Sequence, residues 1–159
     1  MSLAIVNGDL LNASEDFIVH QCNCVSNNPK VLAKVLFDRF PHSNSYRKRT
    51  MDKASYSIPG TIGVCGRRSG RRKVINLYSQ YYPSGPQGFD SASQRIKWFE
   101  ECLDLIGTST TGSIAMPFRI GCKAAQGSWP VYQQMLEIFS AKYNRSVTLY
   151  RLDLSVSPS

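Results

Sequence analysis

The sequence lacks the features that would place a protein in a membrane or outside the cell. It has no run of about 18 apolar residues, so we expect no transmembrane helix and no membrane partner. The apolar segment at residues 3–6 is followed at once by Asn7 and Gly8, and it is too short for the core of a signal peptide. These absences predict a cytoplasmic protein, with a nuclear location as the alternative, that is not secreted.

Cysteine and histidine are also scarce. The 5 cysteines are an odd number, only 2 histidines are present, and Cys22 and Cys24 lie too close together for the usual zinc clamp. This pattern disfavours a disulfide scaffold, and we expect reduced thiols that pack as small buried hydrophobic side chains. We expect neither a metal nor a cofactor.

Acidic residues are few. Eleven Asp and Glu face 19 Lys and Arg, which leaves a net charge of +8 and an isoelectric point near 9.4. This balance favours anionic partners without naming one.

Short apolar runs bounded by turn residues alternate with helical patterns. The runs predict strands at residues 3–6, 17–20, 61–64, 73–78, 113–116 and 147–150. Helical patterns predict three helices. The first covers residues 31–40, and the second begins at a cap at Asp90 or Ser91 and ends at Gly107. The third follows residue 129, and its expected core face contains Val131, Met135, Ile138 and Phe139. We therefore expect an α/β fold, a three-layer α/β/α sandwich with a mixed, largely parallel central sheet. It would be a monomeric single domain over residues 1–152 with a flexible tail at 153–159.

Three loops that follow predicted strands contain the residues best suited to a ligand. They lie at residues 7–10, 21–26 and 117–129, and the carboxyl ends of parallel strands meet at one edge of a sheet. The last loop is rich in small residues and precedes a helix, so its N–H groups can point at a phosphate. In the alternative interpretation Gly121 is a plain turn residue and Ser128 a plain helix cap.

Taken together, these loops resemble the macro domain, an α/β/α module that binds ADP-ribose. The resemblance rests on Gly-Asp-Leu at residues 8–10, His-Gln-Cys-Asn-Cys at 20–24 and Ala-Met-Pro-Phe-Arg-Ile-Gly-Cys at 115–122. The His-x-Cys-Asn-Cys pattern is that of the branch that contains ADP-ribose-1″-phosphate phosphatases, terminal ADP-ribose glycohydrolases and viral relatives. It implies binding of ADP-ribose and, if the site is active, hydrolysis of ADP-ribose-1″-phosphate or of ADP-ribosylated protein.

The resemblance also implies roles for individual residues. Asp9 would accept a hydrogen bond from the adenine amine, with an Asx turn after the first strand as the alternative, and Asn23 would contact the distal ribose. Residues 121–127 would wrap the diphosphate, and the end of the last strand would flank the adenine. The full set of expected ligand-binding residues is Asp9, Leu10, Asn23, Ser26, Val31, Leu32, Pro117, Gly121, Cys122, Lys123, Ala124, Ala125, Gln126, Gly127 and Leu152.

Two side chains are candidates for catalysis. They are His20, which could act as a general base near neutral pH, and Asn23, which would lie beside the distal ribose. A structural histidine at the end of a core strand is the alternative for His20.

The ligand loops depart from the family pattern. Residues 28–33 (Asn-Pro-Lys-Val-Leu-Ala) contain no glycine, so Val31 stands where the backbone must approach the ligand. Lys123 and Gln126 occupy glycine positions, Ser128 replaces an aspartate, and no lysine stands at the matching place near residues 78–80. The site would then bind its ligand without the lysine-dependent hydrolysis, and Lys123 could add charge at the diphosphate.

A basic segment extends from Arg47 to Lys73, with Asp52 as its single acid. Its most basic part, residues 67–72, is a predicted hairpin tip, so we expect the arginines there to be exposed and mobile. The alternatives are a solvated surface and a non-catalytic reader that contacts nucleic acid or poly-ADP-ribose through Arg67, Arg68, Arg71 and Arg72.

Overall fold

A computed structural model describes residues 2–152, and its centre is one six-stranded sheet. The strands are β1 (Ser2–Asn7), β2 (Phe17–Cys22), β3 (Ile62–Cys65), β4 (Val74–Tyr78), β5 (Ile114–Pro117) and β6 (Ser146–Arg151). The helices are α1 (Leu32–Arg39), α2 (Ala92–Ser109) and α3 (Trp129–Tyr143). The strand order is β1-β6-β5-β2-β4-β3, and every neighbouring pair is parallel except β3 and β4. The α/β sandwich with a mixed, largely parallel sheet is thus confirmed.

The sheet separates two hydrophobic cores because successive side chains of a strand point to opposite faces. On one face, Val19, Leu77 and Met116 pack with α2 and α3. On the other, Ile18 and Val74 pack with Leu36 and Phe37 of α1 and with Tyr46. The long segment between α1 and β3 forms short 3-10 turns over this second face. The expected tail at residues 153–159 lies outside the described residues.

Two details of the helices differ from the prediction. Helix α2 continues to Ser109, so the expected end at Gly107 is wrong; a side chain there would meet the ring of Tyr143, and the glycine allows α3 to approach α2. The predicted core face of α3 is rotated, since Ile138 is 58% exposed while Tyr132 and Leu136 are buried. The ring of Tyr132 packs on Phe99 with centroids 4.7 Å apart, and this contact sets the orientation of the helix.

The thiols behave as packing groups. All five cysteines are free, and burial raises the pKa of Cys24 to about 12 and that of Cys122 to about 11. In the described part of the chain, no three His, Cys, Asp or Glu side chains form a group that could hold a metal ion. Nor does any helix between residues 2 and 152 have the length and apolar character needed to cross a membrane.

Candidate functional site

The candidate site lies at the carboxyl edge, by which we mean the edge of the sheet where the parallel strands β1, β6, β5, β2 and β4 end. Strands β1, β6 and β5 are neighbours, so Asp9 and residues 121–127 leave the sheet at this same edge. The Gly8 N–H donates to Arg151 O (2.9 Å) and the Phe118 N–H donates to Tyr150 O (2.8 Å), which keeps both loops against β6. Asn23 follows β2 at the same edge. The structure therefore brings together the loops that the sequence singled out.

Asp9 is exposed at the start of a short 3-10 turn. Its Oδ1 accepts the N–H of Leu11 at 2.9 Å, and Oδ2 has no hydrogen bond to residues 2–152. One carboxylate oxygen thus fixes the turn while the other is free for a ligand donor, so the Asx turn and the ligand role are compatible. Leu10 is 5% exposed because its side chain belongs to the core, and only its backbone can face a ligand.

Asn23 is buried and its carboxamide is oriented by its neighbours. Oδ1 accepts the N–H groups of Val25 (3.1 Å) and Ser26 (2.9 Å) and an N–H of Arg49 (3.1 Å). Nδ2 has no acceptor among residues 2–152, so it is the donor that Asn23 can offer to a ligand. The Ser26 hydroxyl is engaged with Asn28, and Leu32 is half-buried against the core at the start of α1.

The loop at residues 121–127, between β5 and α3, is closed on itself. The Gly127 N–H donates to Gly121 O (2.9 Å) and the Gln126 N–H to Lys123 O (3.0 Å). A Cβ at Gly127 would lie 2.5 Å from Gly121 O, so the glycine is required where the two ends cross. Four N–H groups of the loop have no acceptor among the described residues, those of Gly121, Lys123, Ala124 and Ala125. Consecutive free N–H groups form a concavity suited to an anion.

Other expected residues lie in or near this loop. Pro117 ends β5, and residues 118–120 connect it to the loop. Lys123 and Ala124 are exposed, while Cys122 is 6% exposed, so its thiol faces the core. Leu152 follows β6 and is 60% exposed beside the end of β1.

The backbone keeps a glycine-like conformation at two positions where glycine is missing. Val31 has φ 51° and ψ −116° at the start of α1, and Gln126 has φ 65°. Side chains with a Cβ avoid this region, and the β-branched valine most of all. Both loops thus keep a backbone conformation that suits glycine, and the residues now in these positions have a strained backbone. Val31 is 81% exposed.

A buried ion pair that sequence reasoning missed holds two of these loops. Arg95 and Asp90 are 2% and 0% exposed, and their Nη2–Oδ2 and Nε–Oδ1 distances are both 2.8 Å. The same guanidinium donates to the carbonyls of Ser84 (2.8 Å), Gly85 (3.1 Å) and Ala125 (3.2 Å). This contact joins the loop after β4 to the loop after β5. The sequence carries no signal for it beyond the place of Asp90 before a helix.

An aromatic ring and a cation lie at the carboxyl edge beside the ends of β1 and β6. The ring of Phe118 lies 5.3 Å from that of Trp129 and 5.4 Å from the guanidinium carbon of Arg151. Arg151 Nε donates to Asn7 Oδ1 at 3.1 Å, which fixes the side chain across the ends of β1 and β6. Phe118 was not among the predicted ligand residues, whereas Arg151 lies at the end of the last strand, which was expected to flank the adenine.

His20 lies inside the protein. It is 1% exposed, its Nε2–H donates to Asn76 Oδ1 (2.7 Å), and its ring packs edge-on against Phe37 (5.3 Å). Burial lowers the pKa of His20 to about 4, so the imidazole is neutral at pH 7. The catalytic role stays a prediction, and this geometry favours the structural alternative.

The basic turn, residues 66–73 between β3 and β4, lies at the opposite edge of the sheet, which we call the amino edge. Two of its arginines are held by hydrogen bonds, contrary to the expected mobility, although Arg67 is exposed as expected. Arg72 donates to the carbonyls of Ala13 and Asp16, and Arg67 donates to Ser109 O (2.8 Å). Arg68 and Arg71 are exposed and have no acceptor among the described residues.

Comparison of the sequence with protein-family models and with curated proteins finds no match. The structure, in contrast, matches solved structures over almost its whole length. The macrodomain of Mycobacterium tuberculosis DarG superimposes with a TM-score of 0.70 at 20% identity, covering 99% of both chains. A Bacteroides thetaiotaomicron protein of unknown function gives 0.72 at 20% identity, over 96% of this chain and 99% of that one. A variant of the Oceanobacillus iheyensis macrodomain with ADPR (ADP-ribose) gives 0.60 at 16% identity, over 93% and 83%.

These similarities agree with the sheet order, with the three helices and with the motif-bearing loops at the carboxyl edge. The chain therefore has the macro domain fold that its sequence resemblance implies.

Proposed function

We propose that this protein binds ADP-ribose, or a molecule that carries it, at the carboxyl edge and does not hydrolyse it by the lysine-dependent route. The proposal rests on the unpaired polar groups at that edge. Asp9 follows β1, the free N–H groups follow β5 and Asn23 follows β2. Three strand spacings of about 4.8 Å separate β1 from β2, so these groups extend over roughly 14 Å.

From β1 to β2, the chemistry of these groups changes along the carboxyl edge in the same order as the parts of ADP-ribose. A carboxylate only accepts hydrogen bonds, so Asp9 selects an amine-bearing base such as adenine. The N–H groups of residues 121–125 suit a diphosphate, and Lys123 adds a positive charge beside them. The carboxamide N–H of Asn23 suits a sugar hydroxyl. The solved macrodomain with ADPR, whose fold is similar, supports the same ligand for this chain.

Several observations support binding without hydrolysis. The imidazole of His20 is buried and neutral, and the raised pKa of Cys122 keeps its thiol protonated. Ser128 occupies the place of an expected aspartate, and its hydroxyl cannot replace a carboxylate as a base.

Titration calorimetry with ADP-ribose, ADP and AMP tests the binding. We expect one site per chain and an affinity that falls from ADP-ribose to ADP to AMP, because each truncation leaves one set of donors unpaired. Equal affinity for the three ligands, or no binding of any, would contradict the proposal.

Hydrolysis is tested separately with an ADP-ribosylated glutamate substrate and with ADP-ribose-1″-phosphate. We expect no release of ADP-ribose from glutamate. Turnover of the 1″-phosphate that is lost in His20→Ala, in a variant that still binds ADP-ribose, would restore the enzymatic alternative.

A further inference from the structure

Arg49 is a buried arginine in the basic segment, and its partners are the residues that shape the ligand loop after β2. It is 3% exposed. Nη1 donates to Asn23 Oδ1 (3.1 Å) and Ser26 O (3.0 Å), while Nη2 donates to Asn23 O (2.7 Å) and Ser57 Oγ (2.9 Å). Both terminal nitrogens are therefore committed to this loop and its neighbour.

The positive charge of Arg49 has no carboxylate beside it. Among residues 2–152, its guanidinium forms no ion pair, and Nε is buried without an acceptor. Two aromatic rings contact the charge instead of a carboxylate: the guanidinium carbon lies 4.2 Å from the ring centroid of Tyr46 and 5.7 Å from that of Tyr78. A buried, unpaired cation is costly, so its contacts are a poor means of stabilising the fold alone.

The consequence falls on the carboxamide of Asn23. With three N–H groups on Oδ1, one of them from a cation, the amide cannot exchange its oxygen and nitrogen without losing all three bonds. The backbone N–H of Asn23 also donates to the hydroxyl of Tyr46 (2.8 Å), and the guanidinium of Arg49 packs over the same ring. Polarisation of Oδ1 by the charge makes the free Nδ2–H a stronger donor.

We propose that Arg49 is the positioning residue that orients Asn23 and so determines the preference for a ligand with a ribose beyond the diphosphate. This inference rests on the proposed function and assigns a specificity determinant within that site. Arg49 itself does not touch the ligand, because its terminal N–H groups are already committed.

The test compares ADP-ribose with ADP, which lacks the distal ribose, in calorimetric titrations of the wild type, Arg49→Gln and Arg49→Lys. Arg47→Gln is the matched control, since Arg47 is an exposed arginine of the same segment. We expect Arg49→Gln to lose about 10-fold in affinity for ADP-ribose with little change for ADP, as the loss of one good hydrogen bond predicts. Arg49→Lys should recover part of the preference, and Arg47→Gln should behave as the wild type.

An unchanged preference for ADP-ribose in Arg49→Gln would overturn the inference. So would an equal loss for both ligands, which marks a merely structural residue. If Arg49→Gln fails to fold, the ratio of ADP-ribose to ADP affinity in Arg49→Lys is compared with that of the wild type. An unchanged ratio would then overturn the inference.

Side-chain amide NMR separates this inference from the proposed function. In the unliganded wild type, the Asn23 Nδ2 group should be as rigid as the backbone in ¹⁵N relaxation, and Arg49→Gln should increase its fast motion, with other Asn side-chain signals unchanged. If the wild type does not bind ADP-ribose, the proposed function and the ligand preference both fail, while these signals still decide whether Arg49 orients Asn23.

Discussion

The two edges of the sheet both carry arginines that donate to backbone carbonyls, but they differ in the polar groups that stay free beside those arginines. At the carboxyl edge, Arg49 and Arg95 are buried and hold loops whose own polar groups are free. At the amino edge, Arg67 and Arg72 lie near the surface and satisfy backbone carbonyls, and the groups they contact are thereby used up. A binding site is therefore recognised by free hydrogen-bond donors on rigidly held loops rather than by the number of positive charges.

The largest effect should come from breaking the buried ion pair of the carboxyl edge. Arg95→Met leaves Asp90 as an uncompensated buried charge, and we expect a loss of about 3–5 kcal/mol in unfolding free energy. The matched control is Lys34→Met, which breaks the exposed pair between Lys34 and Asp38 and should cost less than about 1 kcal/mol. Urea denaturation measures both. Similar losses of unfolding free energy in the two variants would show that the Arg95–Asp90 pair does not stabilise the loops of the carboxyl edge.

The pH dependence of stability tests the buried state of His20. Its folded pKa of about 4 lies below the ordinary 6.5, so the unfolded chain binds the proton more strongly between these values. Stability should be complete above pH 6.5 and fall as the pH drops toward 4, by roughly 3 kcal/mol in total. His20→Gln keeps an amide donor for Asn76 without titrating, and its stability should depend less on pH in this window. Parallel curves for the two proteins would mean that the imidazole is solvated and available.

Asp9 provides a test at the adenine end. Asp9→Ala should weaken ADP-ribose binding by about 1–3 kcal/mol, because the adenine amine loses a charged acceptor. Asp9→Asn is the control that retains the cap of the turn, and it separates the loss of charge from the loss of the cap. Calorimetry on folded variants gives both values. Unchanged affinity in Asp9→Ala would remove Asp9 from the site.

Restoring glycine should relieve the strain in the loop before α1. We expect Val31→Gly to stabilise the fold by about 1 kcal/mol, since it removes a β-branched side chain at φ 51°. Val35→Gly, in the interior of α1, is the opposite control and should destabilise. A loss of stability in Val31→Gly, measured by thermal unfolding, would show that the loop is not strained.

The smallest effect is expected at the amino edge. If nucleic acid or poly-ADP-ribose binds there, affinity should fall as salt rises, and Arg68→Ser with Arg71→Ser should lower the slope by about 2, one unit for each lost phosphate contact. Arg72→Ser should reduce stability instead, because three carbonyls lose their donor. A quadruple Ser variant at positions 67, 68, 71 and 72 that binds RNA as the parent does would make the turn a solvated surface.

The sequence predicted the features that are local in the chain. Apolar runs such as residues 73–78 fold as strands wherever they pair, and the motifs around Asp9, Asn23 and Gly121 each follow one strand directly. The missing glycine near Val31 was visible in the sequence, whereas the positive φ that the valine adopts was not predicted.

The buried contacts that hold the loops of the site were not predictable in the same way. In the sequence, Arg49 is one more basic residue of a surface-like segment, and Arg95 is one position of an amphipathic helix. Their burial depends on partners far along the chain: Asn23 for the first and Ala125 for the second. The rotation of α3 likewise arises from the packing of Tyr132 on Phe99, a contact between two helices that periodicity alone does not fix.

The most direct measurement is an amide NMR titration of the whole chain with ADP-ribose, because it observes both edges at once. The account predicts large shifts for the free N–H groups of Gly121, Lys123, Ala124 and Ala125 and for residues 9–11, with the amides of residues 67–72 unchanged. Shifts confined to the basic turn at the amino edge, or none at saturating ligand, would contradict it.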